Sequence, residues 1–166
     1  MRAVEDAGRT ALVEMRRLLG VIRSDGPVGE PGDRVPQPGL DDLPGLVERV
    51  REAGLPVSWA SAGDGTGVPA GVAVCAYRIV QEALSNVVRH SGAVPAHVEV
   101  RITSSALEVD VRNERAIVQP PAVAEGTGKG LAGMRERVAV FDGRLETGPL
   151  PGGGFAVHAA LPLGAR

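Results

Sequence analysis

Between Arg78 and His90 the chain places several reactive side chain types at helical spacing. At about 100° per residue, Arg78, Glu82, Asn86 and Arg89 share one arc, with His90 at its edge. Val80, Ala83, Leu84, Val87 and Val88 fill the opposite arc. Glu82 and Asn86 stand four residues apart and point the same way. Asparagine is a poor residue for the middle of a helix unless its side chain has a task. A carboxamide oxygen and phosphate oxygens are hard donors that can share a Mg²⁺ ion, which keeps several waters besides. Arg89 and His90 would balance phosphate charge, and Glu82 would act as a base or orient a water. The plain alternative is a solvated helix face, the fate of most such faces.

Residues 125–138, E-G-T-G-K-G-L-A-G-M-R-E-R-V, are a second candidate for phosphate chemistry. A Walker A loop needs Ser or Thr after Gly-Lys, and Gly130 follows Lys129. Gly128 to Gly133 spells G-x-G-x-x-G, but the preceding Q-P-P-A-V-A-E-G-T is no buried strand, so the dinucleotide fingerprint is a coincidence of letters. What remains is a glycine-rich lid whose N–H groups meet phosphates at the start of a helix near Leu131. Glycine permits the close approach and positive φ that such a lid needs. A flexible surface loop is the competing reading, though long structureless loops are uncommon in compact domains.

These residues must be held by a scaffold, and its outline is legible. Val4, Gly8, Ala11, Met15, Leu18 and Ile22 recur at spacings of four and three, a heptad-like seam over residues 1–23. A Pro/Gly linker, 24–39, follows. The seam reads as half of a helical hairpin; folding back onto the main domain is the alternative. Asp41 or Asp42 predicts a cap for a helix running to Ala53, with Pro44 in its first turn and Gly54 as its stop. Val57–Ser61 reads as a strand, and a long helix runs from about Val72 to His90. Val98, Val100 and Ile102, then Leu107, Val109 and Val111, alternate as two strands around a turn at Ser104-Ser105. Residues 114–130 read as a loop, 131–141 as a helix, and 143–148 and 154–162 as closing strands. Short turns between successive strands imply a mixed, mostly antiparallel sheet, and helices on its packed face give a two-layer α/β sandwich.

Composition excludes several classes. The 166 residues suffice for one domain. A net charge of −2 lacks the basic surplus of a nucleic-acid binder. Aromatics are 2% of the chain, so Val, Leu, Ile and Ala must build the core. One cysteine, Cys75, forms no internal disulfide and reads as a buried thiol in a reducing compartment. No apolar run is long enough to span a membrane, which gives the chain a cytoplasmic character; an anchor would have to lie in a segment beyond residues 1–166. His97 and His158 sit in strands without ligand-spaced partners, so no zinc site is expected.

Q-E-A-L-S-N-V-V-R-H-S, a strand pair ending V-R-N, G-T-G-K-G-L-A-G-M-R-E-R-V and P-G-G-G-F, in that order, resemble the catalytic ATP-binding domain of sensor histidine kinases. The resemblance is closest to the subfamily that partners NarL-type response regulators, and it covers residues from about 40 to 166. It implies the Bergerat ATP fold shared with gyrase, MutL and the large heat-shock chaperone. It places Glu82 and Asn86 in the family's N-box as catalytic residues, with Asn86 as the Mg²⁺ ligand and Arg89 and His90 facing phosphate. Gly126, Thr127, Gly128, Lys129 and Gly130 would form the ATP lid, with Leu131 and Met134 on the helix behind it. The first helix resembles the second helix of the dimerisation and phosphoacceptor hairpin, which implies a homodimer in the longer kinase.

Two departures stand out. Asn113 occupies the position of the family's adenine-binding Asp, and Glu114 and Arg115 follow where glycines are usual. An amide oxygen can still accept the adenine amino hydrogen, but without a charge to strengthen the bond. None of His90, His97 and His158 matches the family's phosphoacceptor, so the γ-phosphoryl would pass to a histidine on another helix, and from there to a response regulator. The competing readings are a degenerate nucleotide-binding or dimerisation module, and a self-contained ATPase with Glu82 as general base for water.

Overall fold

The computed structural model describes residues 13, 16–22, 37–116 and 129–164. Helix α1 covers 16–22, and α2, α3 and α4 are Leu43–Glu52, Ala70–Ser91 and Lys129–Ala139. The strands are β1 (Val57–Ala62), β2 (Ala96–Ile102), β3 (Ala106–Asn113), β4 (Arg144–Pro149) and β5 (Phe155–Pro162). They form one sheet in the order β1-β2-β3-β5-β4. β1 pairs parallel with β2, because α3 crosses over between them; the other pairs are antiparallel. The helices cover one face of the sheet, giving the expected two-layer sandwich.

Alternation sorts the two faces. Val98, Val100, Leu107, Val109, Val111, Val157, Ala159 and Leu161 point into the core beneath α3. The residues between them carry charge onto the open face, where Arg101 bonds Glu99 and Glu108 and Arg112 bonds Asp110. His97 and His158 lie there too, beside Ser58 and Asp110 respectively. The β2–β3 turn is tied by Thr103, whose Oγ1 accepts from the Ala106 N–H at 3.0 Å.

Local chemistry sets the helix ends. Asp42 precedes α2, but its carboxylate accepts from the Gly39 N–H at 2.8 Å and leaves the first turn of α2 uncapped by a side chain. The expected cap is therefore a clasp on the turn before the helix. Gly54 ends α2 with φ of 109°, a conformation that favours glycine. α3 ends at Gly92, φ 77°.

Of the predicted N-terminal seam, the described part is residues 13 and 16–22. Leu18 and Ile22 are buried in the same core as α2 and α3. Gln81 Nε2 on α3 donates to the Ile22 carbonyl at 2.6 Å, and Arg78 Nη1 holds Gln81 Oε1 at 2.8 Å. Residues 16–22 thus pack on the main domain through Leu18 and Ile22. Val4, Gly8, Ala11 and Met15 lie outside the described residues, as do linker residues 24–36.

Candidate functional site

The wheel drawn from the sequence holds in three dimensions. Val80, Ala83, Leu84, Val87 and Val88 are buried, while Glu82, Asn86 and Arg89 are half-buried on the other side of α3. Arg89 ties the group together. Its Nη1 donates to Asn86 Oδ1 at 3.2 Å, its Nη2 to Ser85 Oγ at 3.3 Å, and Nη1 lies 3.9 Å from Glu82 Oε1. Arg78, on the same arc by spacing, turns away to Gln81.

Helix α4 closes over this face. A Cβ built on Gly130 would overlap Glu82 Oε1 and lie 3.6 Å from Asn86 Oδ1. Glycine at 130 is what lets the first turn of α4 approach the carboxylate. The expected helix start near Leu131 shifts accordingly, because Lys129 and Gly130 already belong to α4. Lys129 is exposed and Leu131 half-buried, while Met134 is fully buried and anchors α4 on the core. Met134 thus sits on α4 behind its first turn, packed in the core. Gly126, Thr127 and Gly128 lie outside the described residues.

A second cluster forms where α3 ends. Asn113, 5% exposed, donates from Nδ2 to Ser91 Oγ at 3.1 Å and to the Glu114 carbonyl at 2.8 Å. Both donor hydrogens are thereby used, and the side chain's acceptor, Oδ1, is the atom left for a ligand. The β4–β5 hairpin packs against the same point. Gly152, Gly153 and Gly154 all have positive φ; a Cβ on Gly154 would strike the Asn113 carbonyl, and one on Gly153 would meet the Arg115 stem at 2.7–2.8 Å. The two clusters are separated by the nine residues from Glu82 to Ser91, about 14 Å along a helix axis. An amide acceptor at one end of α3 and an oxygen-rich, cation-bearing face about one to two turns away are a spacing that suits an extended nucleoside triphosphate.

Electrostatics agree in part with the sequence reading. His90 has its pKa lowered, first by partial burial and then by the neighbouring Arg89. Its ring is therefore less ready to carry charge than the sequence suggests, until an anion arrives. Burial pushes the Cys75 thiol up, with Arg137 pulling weakly the other way, as suits an inert core cysteine.

Ser85 and Ser91 were not singled out from the sequence. Ser85 stands four residues before Arg89, a spacing that i,i+4 reasoning reaches. The Ser91–Asn113 bond joins residues 22 apart, and no local pattern signals it.

Comparison with known proteins bears on the family of the chain. Residues 71–165, more than half of the chain, match the family described as histidine kinase-, DNA gyrase B-, and HSP90-like ATPase. The sensor histidine kinase LiaS of Bacillus subtilis strain 168 is 32% identical over 98% of this chain and 43% of its own length. The sensor histidine kinase YxjM of the same organism is 34% identical over 75% of this chain and 30% of its own. The signal transduction histidine-protein kinase/phosphatase DegS of Brevibacillus brevis is 26% identical over 93% of this chain and 38% of its own. The chain spans less than half the length of these curated relatives. Among solved structures, the histidine kinase domain of the Erythrobacter litoralis EL346 blue-light activated kinase aligns with a TM-score of 0.55 at 18% identity, covering 96% of this chain and 83% of that one.

Proposed function

The chain belongs to the histidine kinase-, DNA gyrase B-, and HSP90-like ATPase family, and from that premise we propose that the polar face of α3 binds ATP with Mg²⁺ for phosphoryl transfer to a histidine. The acceptor histidine would lie on a dimerisation hairpin of the same kinase, whose second helix includes 16–22. A NarL-type response regulator would take the phosphoryl group next, in a homodimeric, cytoplasmic kinase core. The observation that carries this reading is the joint presentation of Glu82, Asn86 and Arg89 on one α3 face, capped by Gly130.

The residues fit the groups they would hold. Asn86 Oδ1 and Glu82 Oε1 are hard oxygens on one surface, suited to a cation that takes few protein ligands. Mg²⁺ bound there would neutralise charge on the phosphate oxygens. Asn113 Oδ1 accepts from the adenine amino group, while its Nδ2 keeps Ser91 and the Glu114 carbonyl in place. The amide at 113 thus has a structural reason, which argues against the degenerate-module reading. Arg89 stands where its guanidinium can turn toward phosphate, and Lys129 opens the helix that borders the site. Glu82 orients the reacting groups. Such transfer rests on positioning and charge stabilisation rather than a covalent enzyme intermediate.

The test is transfer in trans. The chain is incubated with γ-labelled ATP and the separately made hairpin of its kinase. Acid-labile label on the hairpin histidine, lost with Asn86→Ala, is the expected result. Steady ATP hydrolysis by the chain alone, with no label on the hairpin, would favour the self-contained ATPase.

A further inference from the structure

The polar face of α3 already holds a cation of its own. Arg89 reaches back one turn to Asn86 Oδ1 and Ser85 Oγ, at 3.2 and 3.3 Å, and stands 3.9 Å from Glu82 Oε1. Two of these three oxygens are the ones that the proposed function gives to Mg²⁺. The third belongs to Ser85, which is 2% exposed, so its hydroxyl is sheltered from water and gains from the guanidinium bond. The first turn of α4 borders the same carboxylate through Gly130, where even a Cβ would overlap Glu82 Oε1.

We propose that Arg89 is a placeholder cation: without nucleotide, its guanidinium occupies the Glu82–Asn86 oxygens, and it must leave them before a divalent ion can share them. The proposal rests on the Mg²⁺-ATP reading above. Two positive charges at such separations repel strongly where water is partly excluded. Asn86 Oδ1 can accept from Arg89 or bind a metal, but it cannot serve both well. The displaced guanidinium has a destination, because its planar fork matches phosphate oxygens in a bidentate manner. Metal and triphosphate then help each other in: the metal displaces Arg89 from the oxygens, and the phosphates draw it away. Metal alone meets the full competition of Arg89.

The experiment uses Mn²⁺ alone as the probe, with free ion followed by electron paramagnetic resonance. The proteins are the parent chain, Arg89→Met, Arg89→Lys and the double variant Arg89→Met/Asn86→Ala. Circular dichroism checks their folds. Arg89→Met is expected to bind Mn²⁺ tighter by about tenfold, the usual scale of coupling between two ligands. Arg89→Lys keeps the charge but not the fork, and should fall between; adding Asn86→Ala should return the affinity to the parent level. In parallel, the gain in affinity for a non-hydrolysable ATP analogue on adding Mg²⁺ should shrink in Arg89→Met. Unchanged or weaker Mn²⁺ binding by a folded Arg89→Met overturns the placeholder; should that variant unfold, Arg89→Lys decides by the same criterion. Analogue binding by the parent separates the two levels. If the parent binds it and Mn²⁺ affinity ignores residue 89, the placeholder alone falls; if the parent binds neither, the Mg²⁺-ATP reading falls with it.

Discussion

Replacing Gly130 with alanine isolates the contact between α4 and the polar face of α3. The added Cβ would lie inside 3.0 Å of Glu82 Oε1 and 3.2 Å from Glu82 Cδ. In a free helix the same change stabilises by about 1 kcal/mol, because glycine loses more backbone entropy on folding. Here that gain is opposed. The carboxylate can move, being the end of a flexible side chain, but it lies 3.9 Å from Arg89 and is 30% exposed. Giving up a partly exposed pair costs about 0.2–1 kcal/mol. An off-rotamer glutamate adds about 0.5–1.5 kcal/mol. Gly130→Ala alone should therefore be neutral to mildly destabilising, by up to about 1.5 kcal/mol. In a Glu82→Ala background the obstacle is gone, and the full helix gain of about 1 kcal/mol should appear. Urea unfolding of the four proteins of this cycle measures the difference. A coupling of about 1–2 kcal/mol is expected, against an additivity error of about 0.3–0.5 kcal/mol for independent sites. Additive effects would mean that α4 does not sit on Glu82, and the site geometry would be wrong.

The other predictions concern the parts around that contact. Ile22→Ala should cost about 2–5 kcal/mol in urea unfolding, as for a core isoleucine; a cost within about 0.5 kcal/mol would mark the residue as surface. Asn113→Asp sets a carboxylate oxygen against the Glu114 carbonyl and loses a donor to Ser91, so the melting temperature should fall by the equivalent of about 1–3 kcal/mol. For His90, the lowered pKa means that the folded chain binds fewer protons than the unfolded one just below the ordinary value of about 6.5. Stability should therefore decline as pH falls from about 6.5 toward the lowered value, and His90→Asn should flatten that part of the profile. Binding of a triphosphate beside the ring should raise its pKa, so calorimetric heats should reveal proton uptake near pH 6 that His90→Asn removes.

Much of the fold was legible because the chain obeys short-range periodicities. The alternation around Val98 to Ile102 and Leu107 to Val111 marks two strands, and both occur as β2 and β3. The apolar stripe from Val80 to Val88 marks the buried side of α3, and with it the side on which Glu82, Asn86 and Arg89 must emerge. What local patterns do not carry is partner choice. A seam such as Leu18–Ile22 suits another helix or the domain's own core alike, and its bond to Gln81, 59 residues from Ile22, is not legible from spacing. The same holds for Asn113. The resemblance reads Asn113 as a departure from a family pattern, but the meaning of the amide depends on Ser91 and Glu114, which fix its two donors. Gly130 reads as part of a lid by composition; that it also lets the first turn of α4 approach Glu82 depends on a contact between distant residues, which composition does not carry.

The most direct measurement is calorimetric titration of a non-hydrolysable ATP analogue, with Mg²⁺ and with a chelator, into the parent chain and Asn86→Ala. A dissociation constant in about the micromolar to sub-millimolar range, tightened by Mg²⁺ in the parent and no longer responsive to Mg²⁺ in Asn86→Ala, is the predicted result. Absence of binding by the folded parent, or a Mg²⁺ response that survives Asn86→Ala, would contradict the assignment of nucleotide and metal to the polar face of α3.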